Sequence, residues 1–252
     1  MDMISEYFNY NQYSKLEDEV FKGENYKVIT LKGSVSSKFF HAFMDKYEKC
    51  VDHKLIITLT TTGGELTWAY MIAHIILNHP HITIIRIPRY ALSAGTIISL
   101  AADEIHLNTN GCLGPIDPYF SGINITECHD VLKNETWVQW LSNGPWFNAI
   151  SKYCSRMLGR VRTDHHTLVI KLLSGKYSNS ESIYEFFTHA MHHGTPIYFD
   201  DVPKELQLNI QIDPLISQYN TKSEDDEMSK KIMNVIKQTL PSQVYPDIEN
   251  LT

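Results

Sequence analysis

Arg89-Tyr90-Ala91-Leu92-Ser93-Ala94-Gly95-Thr96 is the stretch whose reading decides the fold. An apolar, β-branched run, Ile82-Thr83-Ile84-Ile85-Arg86-Ile87, leads into it and is stopped by Pro88. A small-residue run, Thr96-Ile97-Ile98-Ser99-Leu100-Ala101-Ala102, leaves it and predicts a short buried helix. A serine at the tight turn between a strand and a helix presents its hydroxyl as a nucleophile. The next backbone N–H then points to where an oxyanion would form. The same position is also a favoured one for a serine that merely caps a helix. Ala91 stands where a G-x-S-x-G motif has its first glycine, so the octapeptide by itself favours the cap. The surrounding chain shifts that balance.

Working outward, Lys54-Leu55-Ile56-Ile57-Thr58-Leu59-Thr60 is nearly all apolar and β-branched, the pattern of a strand buried on both faces of a parallel sheet. It runs into Thr61-Thr62-Gly63-Gly64 and then a helix over 65–78. The strand at 82–87, the Ser93 turn with its helix, and a short strand at 104–107 follow. This alternation predicts an α/β fold built from repeated crossovers. Upstream, 26–31 reads as a strand, and Ser36 or Ser37 caps a helix to about Cys50 with Phe39, Phe40, Phe43 and Tyr47 at helical spacing. Residues 1–24 read as a polar arm, either frayed or a short helix.

Downstream, 110–118 is a loop dense in turn formers. The chain then reads as helical from about 126 to 159, interrupted near Asn143-Gly144-Pro145. A separate helix opens at Thr163 and ends at Gly175, and another runs from Ser180 to about His193. A short helix begins at Asp200 or Asp201, and 208–210 is a possible strand. The expected organisation is an arm over 1–24, one domain over 25–218 with its core at 54–120 and a helical part at 125–218, and a polar tail or amphipathic helix over 219–252.

Composition narrows the function classes. With 252 residues, 43% hydrophobic and 20% charged, the chain has the make-up of a soluble globular protein with a sizeable core. A net charge of −7 and the lack of a basic stripe argue against nucleic acid as the main partner. The four cysteines are widely spaced with no C-x-x-C pair, which suggests reduced thiols in a cytoplasmic compartment. The first residues lack a signal-peptide layout, and no apolar run reaches the ~20 residues that a membrane span needs. His189 and His193 stand at i, i+4 with His192 between them, a metal-compatible spacing. No Glu or Cys completes a recognised pattern, so neither a metal nor another cofactor is expected.

Two loops carry the chemistry, both at the C-terminal ends of neighbouring strands, where open parallel sheets hold their sites. The glycines at 63 and 64 let the backbone approach a ligand closely. With the N–H of Ala94 they would form an oxyanion hole around an acyl group attacked by Ser93. Thr60-Thr61-Thr62-Gly63-Gly64, then Ala91-Leu92-Ser93-Ala94-Gly95-Thr96, Ala101-Ala102-Asp103-Glu104-Ile105 and Leu113-Gly114-Pro115-Ile116-Asp117-Pro118 form an ordered set. Together they resemble the serine dehydrogenase proteinase family, which is related to the signal-peptide peptidase A proteases and, more distantly, to the Clp protease subunits. The resemblance covers about 54–120, with weaker echoes at Leu172-Leu173-Ser174-Gly175-Lys176 and His193-Gly194-Thr195-Pro196-Ile197.

That resemblance implies a ClpP/crotonase-like spiral of ββα units with an added helical C-terminal region. It also implies serine-peptidase chemistry on a peptide or protein substrate, with Ser93 as nucleophile and Gly64 and Ala94 at the oxyanion donors, in a homo-oligomer. Two departures stand out. Thr62 replaces the usual proline before the glycine pair, and Ile116 and Asp117 occupy the loop where Clp subunits carry their catalytic histidine. The base must come from elsewhere. Lys133 lies in the region from which signal-peptide peptidase relatives supply a lysine, and His193 belongs to the late His-x-x-Pro-Ile echo. Two other readings stay open: an inactive binding or assembly module on the same fold, and a crotonase-type acyl-CoA enzyme. The latter would need basic groups at the cavity, for which Arg86 and Arg89 are the nearby candidates.

Overall fold

The computed structural model describes residues 14–120, 123–125, 145–189, 195–213 and 216, and at their centre lies a six-stranded sheet. Its strands are β1 (Ser14–Phe21), β2 (Glu24–Lys32), β3 (Lys54–Thr60), β4 (Thr83–Ile87), β6 (Glu104–Leu107) and β10 (Ile210–Ile212), in the order β1-β2-β3-β4-β6-β10. All neighbours pair in parallel except β1, which is antiparallel to β2. Two-residue strands are added at β5 (Tyr90–Ala91), β8 (Tyr119–Phe120) and β9 (Ile123–Asn124), with β8 and β9 paired antiparallel. A further one, β7 (Cys112–Leu113), runs parallel to β5.

The helices are α1 (Ser37–Tyr47), α2 (Leu66–Leu77), α3 (Ala94–Leu100), α4 (Pro145–Ser174) and α5 (Ser180–His189). They gather on one face of the sheet because alternate strand residues there are apolar. Ile29, Leu31, Leu55, Ile57, Leu59, Ile85, Ile87, Ile105 and Leu107 point into one cluster with Phe39 and Phe43 of α1, Ile72 and Ile76 of α2, and Ile98 of α3. Val169, Leu172 and Leu173 of α4 and Ile183 and Phe187 of α5 close the same core. On the opposite face Tyr26, Val28, Ile56 and Ile84 form a smaller cluster covered by Phe21. Further along that face Thr58, Arg86 and His106 stand in register across three strands. Arg86, only 2% exposed, binds Glu19 of β1 at 2.8 Å and lies under the Phe21 ring.

Two expectations are corrected. Residues 14–21 are not a frayed arm or a helix: they form the edge strand β1, pinned to β2 and, through Glu19, to the buried guanidinium of Arg86. The helix expected to open at Thr163 is the second half of α4, which runs unbroken from Pro145 through Gly159 to Ser174. A glycine inside a helix costs only ~1 kcal/mol, which burial of the Leu158, Val169, Leu172 and Leu173 side chains outweighs. The α/β class and the helical C-terminal region stand as read. No helix among the described residues is long and apolar enough to cross a membrane.

Candidate active site

The strand β3 does not end at Thr60. Its next residue bridges to β5, with Thr61 N–H donating to Tyr90 O at 3.1 Å and Leu92 N–H to Thr61 O at 2.9 Å. This rung fixes the two chemistry-bearing loops side by side. The Gly pair is pinned from the other flank by the chain after β2. Val35 N–H donates to Gly63 O at 2.8 Å, and Glu65 N–H to Val35 O at 2.9 Å. Gly63 sits at φ +100°, where a Cβ would meet Leu92 O and the Ser93 Cβ, each at 2.8 Å. Gly64 sits at φ +150°, where a Cβ would collide with the Val35 carbonyl. Both glycines are therefore demanded by close packing against the Ser93 turn and the Val35 backbone.

Ser93 is held at φ 51°, ψ −116°, a conformation that a non-glycine residue adopts only under constraint. It precedes α3 in the position of an N-cap, yet its side chain makes no capping hydrogen bond. The cap reading is thus lost: a capping serine sits in the extended region and accepts from the helix N–H groups. Its hydroxyl has no hydrogen-bond partner among the described residues and faces a cavity of about 710 Å³. The turn is braced by Gly95 N–H to Leu92 O at 2.8 Å and by Thr96. The Thr96 hydroxyl lies 2.9 Å from Ala91 O and 2.8 Å from Gly114 O, and accepts Gly114 N–H at 3.0 Å. That fully buried hydroxyl ties the Ser93 turn to the 113–118 loop.

The backbone donors around the serine divide cleanly. Gly63 N–H is committed to Thr61 Oγ1 at 3.0 Å, so Gly63 shapes the turn and offers no donor to a ligand. The N–H groups of Gly64 and Ala94 have no acceptor among the described residues, and both residues line the cavity with Ser93. Ala94 is 3% exposed, so an unpaired N–H there carries a desolvation cost of ~1–3 kcal/mol that an incoming oxygen would relieve.

Of the two base candidates, Lys133 and His193 both lie outside the described residues, as does His192. The structure brings forward a different histidine. His165 of α4 lines the same cavity at 5% exposure, with Tyr184 OH 3.0 Å from its Nδ1 and the Ile116 backbone hydrogen-bonded to its ring. Burial pushes its pKa down to about 4, against an opposing pull from the Asp117 carboxylate. It is therefore a neutral imidazole near neutral pH, joining α4, α5 and the 113–118 loop. Tyr184 is shifted the other way by burial, up to about 12, so its phenol stays protonated. Asp117, 2% exposed, lines the cavity from the loop, where Ile116 N–H donates to Phe187 O at 2.8 Å. Sequence reasoning missed His165. Its signal was present, since His165, Val169 and Leu172 share the apolar stripe of one helix, and a polar residue on a buried stripe needs a partner.

Neither Arg86 nor Arg89 lines the cavity: Arg86 is spent on Glu19 at the opposite face of the sheet. Among the described residues, the acyl-CoA reading thereby loses the two basic groups named for it.

The chain is similar to several known proteins. Two uncharacterised proteins of Methanocaldococcus jannaschii are 42% and 39% identical over 67 residues. The matched segment is 27% of this chain and 23% of each relative, so the chain spans under a quarter of the length of the curated relatives it matches. Among solved structures it is similar to a lysine-to-alanine mutant of the 1510-N membrane-bound stomatin-specific protease in complex with a substrate peptide. There the identity is 19%, over 75% of this chain and 74% of that one, with a TM-score of 0.48. It is also similar to ClpP1 from Listeria monocytogenes, with 13% identity over 74% and 90% of the two chains and a TM-score of 0.48. An enoyl-CoA hydratase from Thermoplasma volcanium aligns over 42% of this chain and 52% of its own, with 16% identity and a TM-score of 0.36. Residues 24–136, which hold both loops and Ser93, match the family model described as ClpP-like SDH-type serine proteinase.

Proposed function

We propose that this chain is a serine peptidase-like hydrolase in which Ser93 attacks a peptide carbonyl. The observation that carries the reading is the strained, uncapped Ser93 at φ 51°, beside the N–H groups of Gly64 and Ala94, which have no acceptor among the described residues. Ser93 Oγ bonds to the carbonyl carbon while a base takes its proton, and the carbonyl oxygen becomes an oxyanion held by Gly64 and Ala94. Each such donor is worth on the order of 2.7–4 kcal/mol in the transition state. Collapse breaks the C–N bond, and the leaving amine takes the proton from the base. Water then cleaves the ester in the reverse sense and restores the serine. Lys133 or His193 is the proposed base: a lysine needs desolvation to present a neutral amine, whereas an imidazole needs none.

A fluorophosphonate probe tests this directly. Wild type should be labelled, Ser93→Ala should not, and Lys133→Ala or His193→Ala should slow labelling by ~100-fold or more if that residue is the base. Labelling of Ser93→Ala at the wild-type rate would sink the nucleophile assignment. A folded wild type that takes no label would instead favour the binding-module reading.

Self-association belongs to the same proposal. Tyr153, Met157 and Val161 follow one another at i, i+4 and i+8 along α4 and are 68%, 46% and 41% exposed. A row of large apolar side chains on one helix face fits a contact with a second copy of this chain.

A further inference from the structure

The walls of the Ser93 cavity have two characters. Leu66, Ile97, Ile116 and Leu168 supply apolar surface, while Glu65, Asp117 and Asp164 supply carboxylates. Among the described residues lining it there is no lysine or arginine, and the one imidazole, His165, is neutral near neutral pH because burial holds its pKa at about 4. The three carboxylates are not equivalent. Glu65 accepts Trp68 Nε1–H at 3.1 Å. Asp117 is enclosed at 2% exposure and already has an interaction partner. Asp164, one residue before His165 on α4, is solvent-exposed and makes no hydrogen bond or ion pair with another described residue.

A cavity with apolar walls and a carboxylate that no described residue pairs is matched by a side chain that is apolar along its stem and cationic at its tip. Lysine and arginine have that form. An aspartate or glutamate in the same place would add a like charge at short range. A leucine would fill the apolar part but would displace water from Asp164 and give it nothing in return. The net charge of −7 acts in the same direction at longer range, drawing cationic peptides towards the molecule.

We propose that the Ser93 cavity takes peptides carrying a lysine or arginine beside the scissile bond, and that Asp164 is the carboxylate that selects them. This rests on the reading of Ser93 as a nucleophile, and the experiment separates the two. Peptidyl phosphonate probes with lysine, leucine or glutamate at the position next to phosphorus are compared by labelling rate. In parallel, the affinities of lysine- and glutamate-containing peptides for Ser93→Ala are measured. Wild type should react with the lysine probe at least about tenfold faster than with the glutamate probe, a ratio that shrinks as salt is raised. Asp164→Asn should cut the ratio to a few-fold, and Asp164→Lys should invert it.

Equal rates with all three probes, alongside normal fluorophosphonate labelling, overturn the specificity and leave the nucleophile standing. So does an Asp164→Asn variant that slows every probe alike, because a structural role would do that. No labelling of folded wild type, with lysine peptides still preferred by Ser93→Ala, overturns the nucleophile and upholds the cationic site. If Ser93→Ala also shows no preference, the cationic site falls as well.

Discussion

A serine at φ 51° is placed there by its neighbours, since its own side chain disfavours the conformation by ~1–3 kcal/mol. Thr61 O receives Leu92 N–H from one side, Leu92 O receives Gly95 N–H from the other, and Gly63 packs directly beneath the Ser93 Cβ. The Gly pair is thus part of the same constraint as the serine. Gly64→Ala tests this, because its methyl would collide with the Val35 carbonyl and force the backbone to move. The substitution should lower unfolding stability by ~1–3 kcal/mol in a urea titration and slow Ser93 labelling by roughly tenfold or more, since the Gly64 N–H moves with it. Wild-type labelling by a destabilised Gly64→Ala would show that this N–H takes no part in the reaction. At this scale the sequence showed which residues meet. It did not show their division of labour, because the hydroxyl of Thr61 captures Gly63 N–H and leaves Gly64 and Ala94 without an acceptor among the described residues. Turn chemistry is local and legible; the destination of one N–H depends on a rotamer two residues away.

Among the elements, α4 contributes most to the site after the two loops, and it does so through His165. Burial lowers the pKa of this imidazole from 6.5 to about 4, so the unfolded chain binds the proton more readily than the folded one. The contribution is complete above about pH 6.5, is lost as pH falls from there to about 4, and does not grow further below that. Wild type should therefore lose up to ~3 kcal/mol more than the non-titrating His165→Gln across that window, read as the difference between their denaturation midpoints at each pH. Parallel pH profiles for the two proteins would show that His165 is not a buried neutral base. That α4 is a single helix was hidden by Gly159 and Thr163, which read as a stop and a start. The edge strand β1 was hidden for a different reason. Its Glu17-Asp18-Glu19 run is a poor strand signal by itself, and what makes it a strand is pairing with β2 and the Glu19 bond to Arg86, 67 residues downstream.

For the whole molecule, the apolar row on α4 carries the expectation of assembly. Sedimentation velocity should give a mass above that of one 29.0 kDa chain, and Met157→Glu, which puts a charge in the middle of the row, should shift the distribution towards one chain. A wild type that sediments as a single chain at all concentrations would refute self-association.

The sequence by itself determined the class and the centre of the fold. The continuous apolar runs at 54–60 and 82–87 demand a sheet covered on both faces, and the Gly63-Gly64 and Ser93 turns must then fall together at the ends of adjacent strands. Tertiary structure decided what those turns are. Ser93 became an uncapped residue held in a strained conformation, and His165, Asp117 and Asp164 arrived at its cavity from a loop and a helix far along the chain. The physical reason is one of range. Periodicity and turn chemistry are fixed by neighbours a few residues apart, whereas backbone strain, burial and the charge of a cavity arise only when distant segments close on one another.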